Sequence, residues 1–227
     1  MAEGGSLLLI PGLLCTTRLW RDQVSALADL AEIAVTTAQA EHDDLGAIAA
    51  AILEQAPPRF ALAGLSFGGY VAFEILRRAP LNTSPRPDGP EQRALRQDQI
   101  RLAGQGRFLG LSDRLVAGFL HPERLKDKAL VADVKAMAQA VGRDGFVRQQ
   151  RAILGRPDSR PLPGAIACPT LVLTGRQDAR LPLEVHEEMA AAIPGAELVV
   201  IEDCGHLSAM ERPAEVNLAL RRWLVEM

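Results

Sequence analysis

Ser66, Asp178 and His206 each stand just past an apolar, β-type run, and a hydroxyl, a carboxylate and an imidazole so placed are the parts of a nucleophilic site. Residues 59–69 read RFALAGLSFGG, a G-x-S-x-G stretch between a strand-like run and a helical pattern over 70–78. A serine hydroxyl is a weak nucleophile unless a sharp strand-to-helix turn holds it exposed beside a base and oxyanion donors, so Ser66 is the candidate nucleophile. Gly64 and Gly68 remove side chains that would collide at such a turn; a plain Gly-Ser loop is the bland alternative. Residues 170–178, TLVLTGRQD, put Asp178 beyond the carboxyl end of a buried strand, where catalytic groups gather in parallel sheets. An Asx turn or a cap for the following helix would also use that aspartate. Residues 198–206, LVVIEDCGH, repeat the arrangement with an imidazole, whose pKa suits proton transfer near neutrality, and make His206 the candidate base. His42, His121 and His186 read as surface or hydrogen-bonded loop residues.

Acyl transfer also needs donors aimed at a developing oxyanion. The backbone N–H of Phe67 lies at the start of the predicted helix, where the macrodipole favours negative charge. Leu13, after the turn Ile10-Pro11-Gly12, is the candidate for the second donor, with an ordinary turn as its alternative.

Positioning these groups requires strands that end together. Strands are predicted at residues 6–10, 32–37, 59–63, 170–174 and 197–201, and helices at 45–55, 68–78, 183–192 and 214–225. Such alternation implies an α/β fold, an open, mostly parallel sheet with helices on both faces. Between about 84 and 163 strand-like runs vanish and Arg-rich helical stretches take over, at 91–102, 125–141 and 145–154, with Gly142 ending one and Asp144 capping the next. The expected organisation is core over 1–83, an inserted helical cap over 84–163 and core over 164–227, with residues 82–90 as the hinge.

The chain has 227 residues, 48% hydrophobic, enough for one sizeable core. Its 28 acidic and 25 basic residues give a net charge of -3 and no field that would draw nucleic acid or anionic lipid. Cys15, Cys168 and Cys204 are widely spaced, as suits reduced thiols in a cytoplasm, and Cys15 and Cys204 read as buried and inert rather than redox handles. The apolar start is broken by Pro11-Gly12 and lacks a basic flank, so neither a signal peptide nor a membrane span is expected. No phosphate loop, dinucleotide motif or His-carboxylate cluster calls for a cofactor or metal.

Taken together, Ser66, Asp178 and His206, in the chain order of α/β-hydrolase triads, resemble the α/β-hydrolase superfamily, and its small capped esterases and lactonases in particular, such as pimeloyl-ester carboxylesterases and oxoadipate enol-lactonases. In that family the first-strand turn reads His-Gly-x, with x giving an oxyanion N–H; Leu13 holds that place and Pro11 replaces the histidine. The chain begins at this strand, so the resemblance implies that the family's amino-terminal hairpin is lacking and that one sheet edge is trimmed. The helix ending at Arg78-Ala79 runs straight into Pro80, where the family has a turn and a further central strand. About eight to twelve residues are therefore expected to be missing there. The resemblance implies hydrolysis of a small ester, lactone or thioester through an acyl-enzyme on Ser66, without cofactor, on a small-molecule partner. Carbon–carbon cleavage, cofactor-free peroxidation or a lyase reaction on the same site, and a receptor that binds without turnover, are the alternatives. Arg93, Arg96, Arg101 and Arg107 could clamp a substrate carboxylate or form a solvated face, and Met137, Phe146 and Met210 could line an acyl pocket or pack the core.

Overall fold

The computed structural model describes residues 5–78, 88–106, 108 and 110–226. Strand β1 (Gly5–Ile10) lies between β2 (Ala31–Val35) and β3 (Phe60–Gly64), parallel to both, with Leu8 opposite Ala34 and Leu62. Its side chains alternate between two cores, as the period of a strand demands. Leu7 and Leu9 enter one that is shared with Leu19, Leu27, Val216 and Leu220. Leu8 and Ile10 enter the other, with Ile48, Ile52, Val71 and Ile75. Burial on both faces explains why β1 reads as a continuous apolar run.

Helices cover both faces. On the first lie α1 (Arg21–Leu27) and α9 (Pro213–Glu226); on the second lie α2 (Leu45–Gln55) and α3 (Phe67–Arg78). Asp44 starts α2 by accepting the Ala47 N–H at 3.0 Å, one of the donors that a helix start leaves unmet. Then come α4 (Pro90–Gly104), α5 (Asp113–Ala117) and α6 (Lys128–Gly155). Pro90 stands at the first turn of α4, where its missing N–H costs nothing, and Asp127 caps α6 through the Leu130 N–H at 3.0 Å. Because a 3-10 turn over Pro122–Lys126 and this cap come first, α6 starts later than the sequence suggests. Gly142 breaks α6 at φ 67°, as its type implies, but Asp144 accepts from the Arg143 guanidinium rather than from a helix N–H.

The chain returns to strands with β4 (Leu171–Gly175) and β5 (Glu197–Ile201), a parallel pair, followed and separated by α7 (Leu183–Ala192); α8 (Ser208–Glu211) precedes α9. Among the described residues the strands form two sheets, in the orders β2-β1-β3 and β4-β5, instead of the single sheet expected from the sequence. No described strand joins β3 to β4, but one apolar core serves both sheets, with Leu7, Leu9 and Ala63 from the first and Leu173, Val199 and Ile201 from the second. Residues 79–87, where the sequence suggests a shortened segment, lie outside the described residues, as does most of the expected hinge. Among the described residues no helix is long and apolar enough to cross a membrane.

Candidate active site

Ser66 follows β3 by two residues and sits at φ 55°, in the left-handed region that costs an L-residue about 1–2 kcal/mol. The surrounding backbone leaves it little choice. A Cβ on Gly68 would lie 2.2 Å from the Ile10 carbonyl oxygen, and one on Gly64 would lie 2.4 Å from the Gly68 carbonyl. The strand therefore folds back on itself and onto the end of β1, with the Leu65 N–H donating to Ile10 O at 3.2 Å. The Gly69 N–H donates to Ser66 O at 2.8 Å as α3 begins, leaving the Phe67 N–H at the helix start without an acceptor among the described residues.

The turn after β1 rests against this elbow. A Cβ on Gly12 would be 3.6 Å from Ser66 Cβ. Leu14 has φ 60°, its N–H donates to Gln149 Oε1 of α6 at 3.0 Å, and the Cys15 N–H donates to Gly12 O at 3.1 Å. Of the successive N–H groups at 13, 14 and 15, only that of Leu13 lacks an acceptor among the described residues. Gln149 is fully buried and its amide nitrogen is unpartnered, so the bond to Leu14 fixes which way the amide faces.

Asp178 and His206 meet directly, His206 Nδ1 lying 2.8 Å from Asp178 Oδ2 with both side chains buried. A carboxylate only accepts, so Nδ1 is the donor and the neutral ring keeps its lone pair on Nε2. The other oxygen, Asp178 Oδ1, accepts the N–H groups of Arg180 at 2.8 Å and Leu181 at 3.0 Å. Asp178 thus makes an Asx turn with one oxygen and partners a histidine with the other. Burial pushes the Asp178 carboxyl up, but His206 and the two backbone donors outweigh it and hold the group below its ordinary value. The two loops are tied by Gln177 N–H to Cys204 O at 3.0 Å and Cys204 N–H to Gln177 Oε1 at 3.1 Å. Ser66 makes no hydrogen bond to His206 in the structure; Leu65 and Leu207, their chain neighbours, pack in the same core. Such bonds are often long in unliganded enzymes.

Residues 7–219 match the family model described as "Alpha/beta hydrolase family". The chain belongs to this family. The α/β hydrolase is 26% identical to a pimeloyl-[acyl-carrier protein] methyl ester esterase of Aliivibrio salmonicida, over 98% of its own length and 93% of that protein's. A solved thermophilic esterase from Thermogutta terrifontis, described as malate bound, shares 30% identity at a TM-score of 0.82, covering 98% of this chain and 90% of that one. The enol-lactonase from Burkholderia xenovorans LB400 superimposes with a TM-score of 0.84 at 21% identity, over 99% of this chain and 92% of that one, a likeness of fold.

Several residues that support the site in this α/β hydrolase escaped the sequence reading. Glu211, on α8, accepts the backbone N–H groups of His121 at 2.7 Å, Gly205 at 3.1 Å and Leu207 at 3.1 Å, and so clamps the loop that carries His206. The signal was present as a lone carboxylate directly after the apolar run Leu207 to Met210. Phe119, between α5 and α6, takes the His206 N–H on its carbonyl at 2.9 Å and sets its ring 5.9 Å from the imidazole. Gly205 is the only residue type that fits where it stands, since a Cβ there would lie 2.6 Å from the His121 nitrogen.

Burial outweighs the three N–H donors and holds the Glu211 carboxyl above the usual glutamate range. A raised carboxyl favours the folded state while protonated, so its contribution falls as pH rises from about 4.3 through the raised value. Glutamine lacks this titration and presents an amide to N–H donors, so Glu211→Gln should cost about 2 kcal/mol or more. The parent's advantage should shrink with rising pH across that interval, as read from urea midpoints in a buffer series.

Burial pushes the Cys15 and Cys204 thiols up to about 12. Thiolates react and thiols do not. In the folded protein iodoacetamide should modify only the half-buried Cys168 at an appreciable rate, with Cys15 and Cys204 reacting after unfolding, as peptide mapping would show.

Met137, Phe146 and Met210 are packed in the core, and the arginines of the inserted helices are mostly engaged. Arg93 donates to Leu154 O at 2.9 Å, Arg101 to the neighbouring Asp98, and Arg96 to the buried Asp88 at 2.7 Å and to Gln150 at 2.7 Å; Arg107 lies outside the described residues. Among the described residues no group of His, Cys, Asp or Glu could hold a metal ion.

Proposed function

We propose that the chain is a serine hydrolase that cleaves a small carboxylic ester, lactone or thioester through an acyl-enzyme on Ser66. The φ of 55° at Ser66 carries this reading, because backbone strain of that kind persists where the surrounding packing enforces it and clusters at functional sites. In this reading His206 Nε2 takes the serine proton as the hydroxyl attacks, and Asp178 holds the ring and balances the imidazolium. The N–H groups of Phe67 and Leu13, which have no acceptor among the described residues, receive the oxyanion. The imidazolium returns its proton to the leaving group, and water repeats the sequence to release the acid. Helices α4 to α6 fall within the proposed cap over 84–163, and Gln149 of α6 holds the oxyanion turn through Leu14, which supports a cap beside the site. The names of the relatives, an ester esterase and a thermophilic esterase, favour ester cleavage over the other reactions this site supports.

A fluorophosphonate probe tests the reading. Stoichiometric labelling of the parent at Ser66, absent from Ser66→Ala and slowed by about 100-fold or more in His206→Ala, is the expected result. A folded parent that takes no label overturns it.

A further inference from the structure

Arg180 carries a charge close to the candidate triad. It is exposed, two residues past Asp178, on the loop whose backbone that carboxylate holds. Its guanidinium lies 4.2 Å above the ring of Phe119, and that ring is 5.9 Å from the imidazole of His206, so the two separations bound the distance from the cation to the imidazole at about 10 Å. No carboxylate of the described residues pairs with it. Asp178 faces His206 with one oxygen and takes backbone N–H groups with the other, and Asp88 is held by Arg96 and Arg156. Desolvation first, and then the charge of Arg96, lower the Arg180 pKa from its usual value, against a smaller opposing effect of Asp178 and Tyr70. A guanidinium without a carboxylate partner, over an aromatic face and exposed at the surface, keeps N–H donors for a planar anion. Arg93, Arg96 and Arg101 of the inserted helices lack this freedom, as their acceptors are already in place.

We propose that Arg180 is an anion subsite of the active site and that the substrate is an ester, lactone or thioester bearing a second, free carboxylate within roughly 10 Å of the scissile carbonyl. This rests on the serine-hydrolase reading and adds the substrate class to it. Phe119, which contacts both Arg180 and His206, ties the guanidinium to the site, so the second carboxylate can be bound in a bidentate manner while the ester carbonyl sits at Ser66.

Mono-p-nitrophenyl glutarate and p-nitrophenyl valerate test it, since they differ only in carboxylate against methyl at the chain end. The parent should prefer the glutarate ester in kcat/KM. Arg180→Gln should lower the glutarate-to-valerate ratio by about tenfold or more, through KM, with partial recovery in Arg180→Lys. Arg59→Gln, which removes an exposed cation just before β3 at the opposite end of the strand from Ser66, should leave the ratio unchanged. A ratio that Arg180→Gln does not alter overturns the proposal, whether both rates stay or both fall together, because loss of structure acts on the two substrates alike. Should that variant fail to fold, competitive inhibition of valerate ester hydrolysis in the parent by free glutarate, tighter than by butyrate, reads the same subsite, and equal inhibition overturns it. Valerate ester turnover that survives Ser66→Ala marks failure of the underlying hydrolase reading, and the anion subsite falls with it.

Discussion

Ser66→Ala is expected to lower kcat for any ester that the parent hydrolyses by roughly 10⁴-fold to 10⁶-fold, the range seen when a triad nucleophile is removed. Its melting temperature should match the parent's, because the hydroxyl makes no hydrogen bond among the described residues and alanine keeps a Cβ at the same φ of 55°. Ser66→Gly separates the chemistry from the strain. Glycine reaches the left-handed region at no steric cost, so this variant should be equally inactive but more stable by up to about 1 kcal/mol. Steady-state rates on p-nitrophenyl esters and thermal unfolding of the three proteins are the measurements. A Ser66→Ala protein that keeps the parent's turnover would remove the nucleophile from the mechanism.

Gly68→Ala is expected to be among the most damaging glycine-to-alanine changes at the described positions. The new Cβ would meet the Ile10 carbonyl oxygen at 2.2 Å and the Pro11 carbonyl oxygen at 2.9 Å, and both are backbone atoms that cannot rotate away. Either the end of β1 or the start of α3 must move, at a cost of about 3 kcal/mol or more, which for a chain of this size lowers the melting temperature by roughly 6–12 °C. The same movement pulls the Leu13 turn from Ser66, so activity should fall together with stability. Gly69→Ala, one residue on, is the control. Its Cβ would come no closer than 3.8 Å to the Gly64 oxygen, and within a helix alanine is better than glycine by up to about 1 kcal/mol. Thermal melts and ester turnover of the two variants should therefore diverge in opposite directions from the parent. Equal behaviour of the two would mean that the elbow is not packed against β1 as described.

Strand β1 was legible because it buries apolar side chains in an unbroken run, and β5 was expected over the very residues it occupies. Helices α2 and α7 were equally clear from period and end signals. Short α1, α5 and α8 were not, since fewer than two or three turns carry too little periodicity to separate them from loops. Among the described residues the strands fall into two sheets, and the short segment after Arg78, where the sequence analysis found a central strand lacking, lies outside them.

At the site, residue type and position past a strand were enough to single out Ser66, Asp178, His206, Phe67 and Leu13, since a parallel sheet delivers its strand ends to one edge whatever the intervening chain does. By itself the sequence determined the α/β class and which reactive side chains stand at those ends. Tertiary structure alone decided what surrounds them: that Asp178 gives one oxygen to His206 and the other to its own loop, that Gln149 from α6 holds Leu14, that Glu211 clamps three N–H groups around Gly205, and that Arg180 lies on Phe119 without an acid. Each of these is a contact between segments set by the direction of a side chain and the closeness of two backbones. Neither quantity has a period along the chain, so packing fixes them only when the whole core is assembled.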